Sequence, residues 1–265
     1  MTNRPEFLQN SIIIAAHPDD EMLWFGAVLH QVDKVLLVFE DFWPDPSIGA
    51  VRSKALSNFP RPNVSSLKIP EAATYGCADW QNPKLSPYGI ELRSVTELRD
   101  LKQTLLRAVG KGSPASKRIR STYRDNFERL VRELRPQLSP ETNVFTHNPW
   151  GEYGHEDHVQ VFRAVDFLRK EIGFKLWISN YCSERALPLA TTYFDDREKD
   201  AVHLPVNKPF CEEVAQVYRD AGCWTWSDTW KWFDYEFYMQ APTEQSNPKT
   251  QGKLFPLNMF NIEPV

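Results

Sequence analysis

Two short stretches of this sequence place metal-ligating side chains three residues apart. His17 and Asp20 lie in Ala16-His17-Pro18-Asp19-Asp20-Glu21, and His155 and His158 lie in Gly154-His155-Glu156-Asp157-His158. A histidine and a carboxylate at that spacing can approach one cation where the chain turns from a strand end into a helix, and Pro18 helps fix such a turn. Catalytic zinc takes three protein ligands and leaves a fourth position to water, so a third donor is needed; His155 and His158 are the candidates. Two histidines and one carboxylate suit zinc and would also accept iron(II), cobalt or manganese. Asp19 and Asp20 are adjacent, so their side chains must diverge. One can bind the metal while the other faces the attacking water, which sets a general base beside a Lewis acid. Either stretch alone would read as a turn with an N-cap, but two such pairs at the ends of two separate strands favour a metal site. His30, His147 and His203 read as surface or satisfied core residues.

The elements that must position these side chains alternate along the chain. Ser11 to Ala16 is a β-branched strand followed by the first motif, and a helix is expected from Met22 to His30. A second strand is expected at Lys34–Phe39, a short helix at about Ala50–Asn58 after a proline-broken loop, and a third strand at Val64–Ile69. Apolar residues at helical spacing mark amphipathic helices over 95–109 and 117–135, with Gly110 to Ser116 as a connector. Asn143–Thr146 reads as a strand running into the second motif, and Val159–Glu171 as the helix after it. Lys175–Ser179 is a further strand, and a helix is expected at about Cys211–Ala221. Such alternation argues for an α/β fold, a mainly parallel sheet with helices on both faces, whose functional loops sit at the carboxyl ends of strands. Both motifs fall there. At helix N-termini the dipole favours anions and neutral histidine, so Asp19 and Asp20 are expected ionised and His158 neutral.

Composition narrows the partners. The 35 acidic and 31 basic residues give a net charge of −4 over 265 residues, which argues against a nucleic-acid-binding surface and for a small-molecule partner. Near the N-terminus the one apolar run, Ile12 to Ala16, is too brief for a signal-peptide core or a membrane span, so a cytoplasmic protein is expected. Cys77, Cys182, Cys211 and Cys223 are scattered without a Cys-x-x-Cys pair and are expected to be ordinary buried thiols. Nine tryptophans and 20 prolines suggest ordered loops packed with aromatic rings.

Together the two motifs resemble the AHPDDE and GHxDH signatures of LmbE/PIG-L-like N-deacetylases, and the order of strands and motifs is similar over about residues 11–180. The resemblance implies a Rossmann-like fold, here a single domain over 1–265 with an aromatic-rich C-terminal extension from about 205. It implies that His17, Asp20 and His158 hold zinc, that Asp19 is the general base towards water, and that a protonated His155 is the electrophilic or acid group. Asp157 would orient His155, Tyr153 would donate to the tetrahedral intermediate, and Arg52 would face a substrate hydroxyl or phosphate. The implied reaction removes acetyl from an N-acetylated amino sugar, releasing acetate and a free amine. One departure bears on substrate: the usual glycine-glutamate turn after strand two is replaced by Glu40-Asp41-Phe42-Trp43-Pro44-Asp45-Pro46. Hydrolysis of a non-sugar amide, as in antibiotic or lipid tailoring, is the alternative, and a sugar-binding module without turnover is a third reading. The run from Trp224 to Phe233 either packs as core or stacks on a sugar ring.

Overall fold

The computed structural model describes residues 4–42, 44–45, 47–93, 96, 119–193, 201–241 and 256–261. Most of the helix expected over 95–109, and the connector after it, lie outside them. The strands are β1 (Ser11–Ala15), β2 (Lys34–Phe39), β3 (Val64–Ile69), β4 (Leu85–Ser86), β5 (Gly89–Ile90), β6 (Asn143–Thr146), β7 (Lys175–Ser179), β8 (Tyr181–Ser183), β9 (Ala201–Pro205), β10 (Tyr235–Gln240) and β11 (Asn258–Phe260). Seven of them form one sheet in the order β3-β2-β1-β6-β7-β10-β9. From β3 to β7 every pairing is parallel, and β10 runs antiparallel to both its neighbours. The sheet is therefore mostly parallel, as expected, with an inverted strand contributed by the C-terminal third.

Strand alternation explains why both faces are covered. Ile12 and Ile14 belong to an apolar cluster that takes in Leu130 and Leu134 of the helix Ile119–Leu134 and Val161 and Val165 of the helix Glu156–Ile172. Ile13 and Ala15 point the other way, into a cluster with Ala55 of the helix Ser47–Ser57 and Val214 and Tyr218 of the helix Lys208–Ala221. The Glu156–Ile172 helix has acids in its first turn and Arg169 and Lys170 in its last, and it stops at Gly173 with φ 94°. Strand order reverses between β1 and β6, where successive crossovers diverge and leave a crevice at the strands' carboxyl ends. His17 follows β1 and His147 to His158 follow β6, so both motifs open into that crevice.

One expected element is largely absent. Only Asp20–Leu23 is helical, and the chain from Gly26 to Gln31 is a series of turns. Every residue from Met22 to Leu29 is buried, so this segment has no polar face of the kind an amphipathic helix shows. A Cβ on Gly26 would stand 2.7 Å from Cys211 Sγ. The Gly26 and Ala27 amides donate to the fully buried Glu236 of β10, at 3.1 and 2.9 Å, instead of to carbonyls one turn back. Tyr181 Oη donates to the same carboxylate at 2.8 Å, as does Tyr238 Oη. Glu236→Ala leaves these buried donors unpaired and is expected to lower unfolding free energy by about 3–5 kcal/mol, read from urea unfolding; a loss under about 1 kcal/mol would mean that the turn does not depend on Glu236.

All four cysteines are buried and free. No helix among the described residues is long and apolar enough to cross a membrane.

Candidate metal centre

Asp20 Oδ2 is the point on which the two motifs converge. His17 Nδ1 lies 3.2 Å from it and His158 Nε2 3.3 Å. Two ligands bound to one zinc ion at roughly 2.0–2.1 Å and tetrahedral angles stand about 3.3 Å apart, so these spacings fit a shared cation. A backbone amide and an indole fix the carboxylate: the His17 amide donates to Oδ2 at 2.7 Å and Trp24 Nε1 to Oδ1 at 2.7 Å.

The histidines are oriented from behind. His158 Nδ1 is 2.7 Å from Glu152 Oε2, so with Glu152 taking that hydrogen, Nε2 is the nitrogen left for a cation. It is buried and has no hydrogen-bond partner. On the far side of His17, Nε2 faces Glu71 Oε1 at 3.4 Å and Asp157 Oδ2 at 3.5 Å without hydrogen-bond geometry to either. Burial works against a charge on His17, but Asp157, Asp20 and Glu71 outweigh it and hold its pKa well above the usual value. The same anionic surroundings would also favour a cation. Burial likewise opposes the charge on Asp20, yet His158, His147 and His17 keep its pKa well below the usual carboxylate range.

Two other groupings come as close together, His147 with Glu152 and His158, and His17 with His155 and Asp157. In the first, His147 is already committed: Nε2 accepts the Ala16 amide at 2.8 Å and Nδ1 meets Glu152 Oε2 at 2.9 Å. It stacks on His158 with 3.9 Å between ring centroids. His147 is thus a satisfied core residue, but one built into the centre's support. In the second, His155 Nδ1 accepts the Asp157 amide at 3.1 Å.

That bond corrects two expectations. The amide of Asp157, not its carboxylate, orients His155; the carboxylate accepts from Thr74 Oγ1 at 2.8 Å and turns towards His17. And burial, with His158 and His17 beside it, pushes the pKa of His155 well below the usual value, opposite to the protonated form that was expected. With Nδ1 accepting, its hydrogen sits on Nε2, which remains a donor.

Asp19 diverges from Asp20 as adjacency requires. Its backbone is left-handed at φ 111°, and its amide donates to Glu21 Oε2 at 3.0 Å. Burial first and then Asp20 raise its pKa to about 6, with Arg52 and Thr225 pulling the other way. The four-residue helix behind it is too short to supply the full dipole on which uniform ionisation was expected. Arg52 is 1% exposed, and its terminal nitrogens are engaged with protein, Nη1 with Asp41 O and Nη2 with Thr225 Oγ1, each at 2.9 Å.

A cavity of about 630 Å³ reaches this arrangement. His17, Asp19, Arg52, Tyr153 and His155 line it, whereas Asp20 and His158 are buried and are not among its lining residues. Trp226, Trp230, Phe233 and Phe260 line it too. Trp226 packs at 5.3 Å on Trp24 and 5.1 Å on Tyr153, so the C-terminal aromatic run both packs as core and faces the cavity. Glu152 and Glu71 escaped the sequence reading, Thr225 was counted only within the aromatic run, and His147 was read as a surface or core residue. Glu152 and His147 stand within or beside the second motif, five residues apart, and that proximity was the available signal. Glu71 and Thr225 are brought in by long-range packing and carry none.

No protein-family model matches the sequence, and no curated protein matches it. Among solved structures, that of the antimicrobial reagent A40926 pseudoaglycone deacetylase Dbv21 is similar at 18% identity and a TM-score of 0.40, over 91% of this chain and 100% of that one.

Proposed function

We propose that this chain is a zinc-dependent N-deacetylase of the LmbE/PIG-L type with a doubly wound, Rossmann-like sheet, which removes acetyl from an N-acetylated amino sugar. The observation that carries this reading is the convergence of His17 Nδ1 and His158 Nε2 on Asp20 Oδ2 beside a cavity lined by Asp19 and His155. The ion, when bound, supplies Lewis-acid polarisation of the amide carbonyl and acidifies water; iron(II), cobalt or manganese would suit the same donors. Asp19 takes the proton of the attacking water. His155 donates a hydrogen bond from Nε2 to the developing oxyanion, Asp19 hands the proton it took to the leaving amine, and Tyr153, which lines the same cavity, would assist the same charge. Indole faces of Trp226 and Trp230 suit the apolar face of a sugar ring.

A non-sugar amide is the second reading, favoured by the further aromatic lining from Phe42, Tyr75 and Phe260, which would accept an apolar group as readily as a sugar. Acetate release from a panel of N-acetylated sugars, nucleotide sugars, glycosides and simple amides, with and without chelator and added zinc, tests both. Chelator-sensitive release from the sugars is the expected result. Release confined to non-sugar amides would move the assignment to the second reading, and none from metal-loaded protein would remove the deacetylase reading.

A further inference from the structure

Asp19 holds an uncommon backbone conformation for a residue with a side chain, φ 111° and ψ −27°, which costs of the order of 1–3 kcal/mol and persists only where the surroundings impose it. Its amide is held by Glu21. Among the described residues the one protein group that bonds its carboxylate is Thr225 Oγ1, 2.9 Å from Oδ2. Thr225 is 206 residues away in sequence, on the C-terminal segment that also brings Trp226 to the cavity.

The direction of the hydrogen bonds follows from chemistry. A guanidinium can only donate, so the Thr225 oxygen accepts Arg52 Nη2 at 2.9 Å. The single hydroxyl hydrogen is then aimed at Asp19 Oδ2, which as a carboxylate can only accept. Arg52 is itself fixed by the Asp41 carbonyl and lies 5.4 Å over the Phe42 ring. The chain Arg52–Thr225–Asp19 therefore points one way and occupies one lobe of the carboxylate. Oδ1 receives no donor from the described residues and is the lobe left for a proton.

We infer that Thr225 is the positioning residue of Asp19, that Arg52 acts through it rather than on substrate, and that base placement and the Trp226 wall are set by one segment. This rests on the reading of Asp19 as the base. In the zinc-loaded enzyme, Thr225→Val should lower kcat by about tenfold or more, as loss of one hydrogen bond to a charged group does. KM and bound zinc should stay near wild type. Thr225→Ser, which keeps the hydroxyl, should restore kcat to within a few-fold. A Val variant with unchanged kcat, or a Ser variant no better than Val, overturns the assignment.

A second measurement is independent of turnover. Melting temperatures of Thr225→Val, Asp19→Ala and the double variant should be non-additive, because either single change breaks the same contact. Additive shifts overturn the coupling. If wild-type protein releases no acetate but the shifts are non-additive, the contact stands and the deacetylase reading falls. Should the Val variant fail to fold, Thr225→Ala takes its place in both measurements.

Discussion

Replacing Asp19 by alanine is expected to leave about one equivalent of metal on the protein while kcat falls by a hundredfold or more. The two halves of that expectation come from the divergence of adjacent carboxylates. Asp20 turns its Oδ2 to His17 and His158, whereas Asp19 turns its Oδ2 to Thr225 and lines the cavity. Removing the second therefore spares the donor set of the first. Alanine at φ 111° keeps the backbone strain of this position, and glycine does not. Asp19→Gly should thus be as inactive as Asp19→Ala yet melt at a higher temperature. Metal content, kcat and melting temperature measured on both variants separate loss of a base from loss of fold. Turnover near wild type in either would remove Asp19 from the chemistry; loss of metal from both would make it a ligand instead.

How much of this was legible in the sequence depends on the range of the interaction. The strands β1, β2, β3, β6 and β7 were readable because their apolar character is local and continuous, and the carboxyl ends of β1 and β6 lead to His17 and to the loop before the helix that carries His158. The helix Glu156–Ile172 begins earlier than its apolar run because His155, Glu156 and Asp157 form a polar first turn, which periodicity does not count. The segment after Asp20 failed for the opposite reason. Its apolar residues have helical spacing, but the donors at Gly26 and Ala27 are met by Glu236, 210 residues on from Gly26, and no local pattern encodes that. Thr225 and the inverted strand β10 are of the same kind. The C-terminal segment read as an extension from about residue 205, yet it supplies a strand inside the sheet, the contact to Asp19 and two tryptophans of the cavity wall.

Loss of His158 should strip the metal, and loss of its support should weaken binding by a graded amount, which makes the pair of variants more informative than either. His158→Ala removes one of three donors and should leave desalted protein nearly metal-free. Glu152→Gln keeps the shape of its residue and changes only its donors and acceptors. Both oxygens of Glu152 accept in this structure, Oε1 from the Asn148 amide at 2.9 Å and Oε2 from His147 Nδ1 and His158 Nδ1 at 2.9 and 2.7 Å. A glutamine must present its NH2 to one of these donors, so either the Asn148 loop or the two imidazoles lose their acceptor. If the amide group faces the rings, His158 is no longer held with Nε2 towards Asp20, and zinc affinity should fall about 10–100-fold, the usual effect of removing such a partner. Competition against a chromophoric chelator gives both affinities. Wild-type affinity in Glu152→Gln would mean that Glu152 serves the loop alone, and full metal retention in His158→Ala would mean that the cation, if it binds here, is held by other residues.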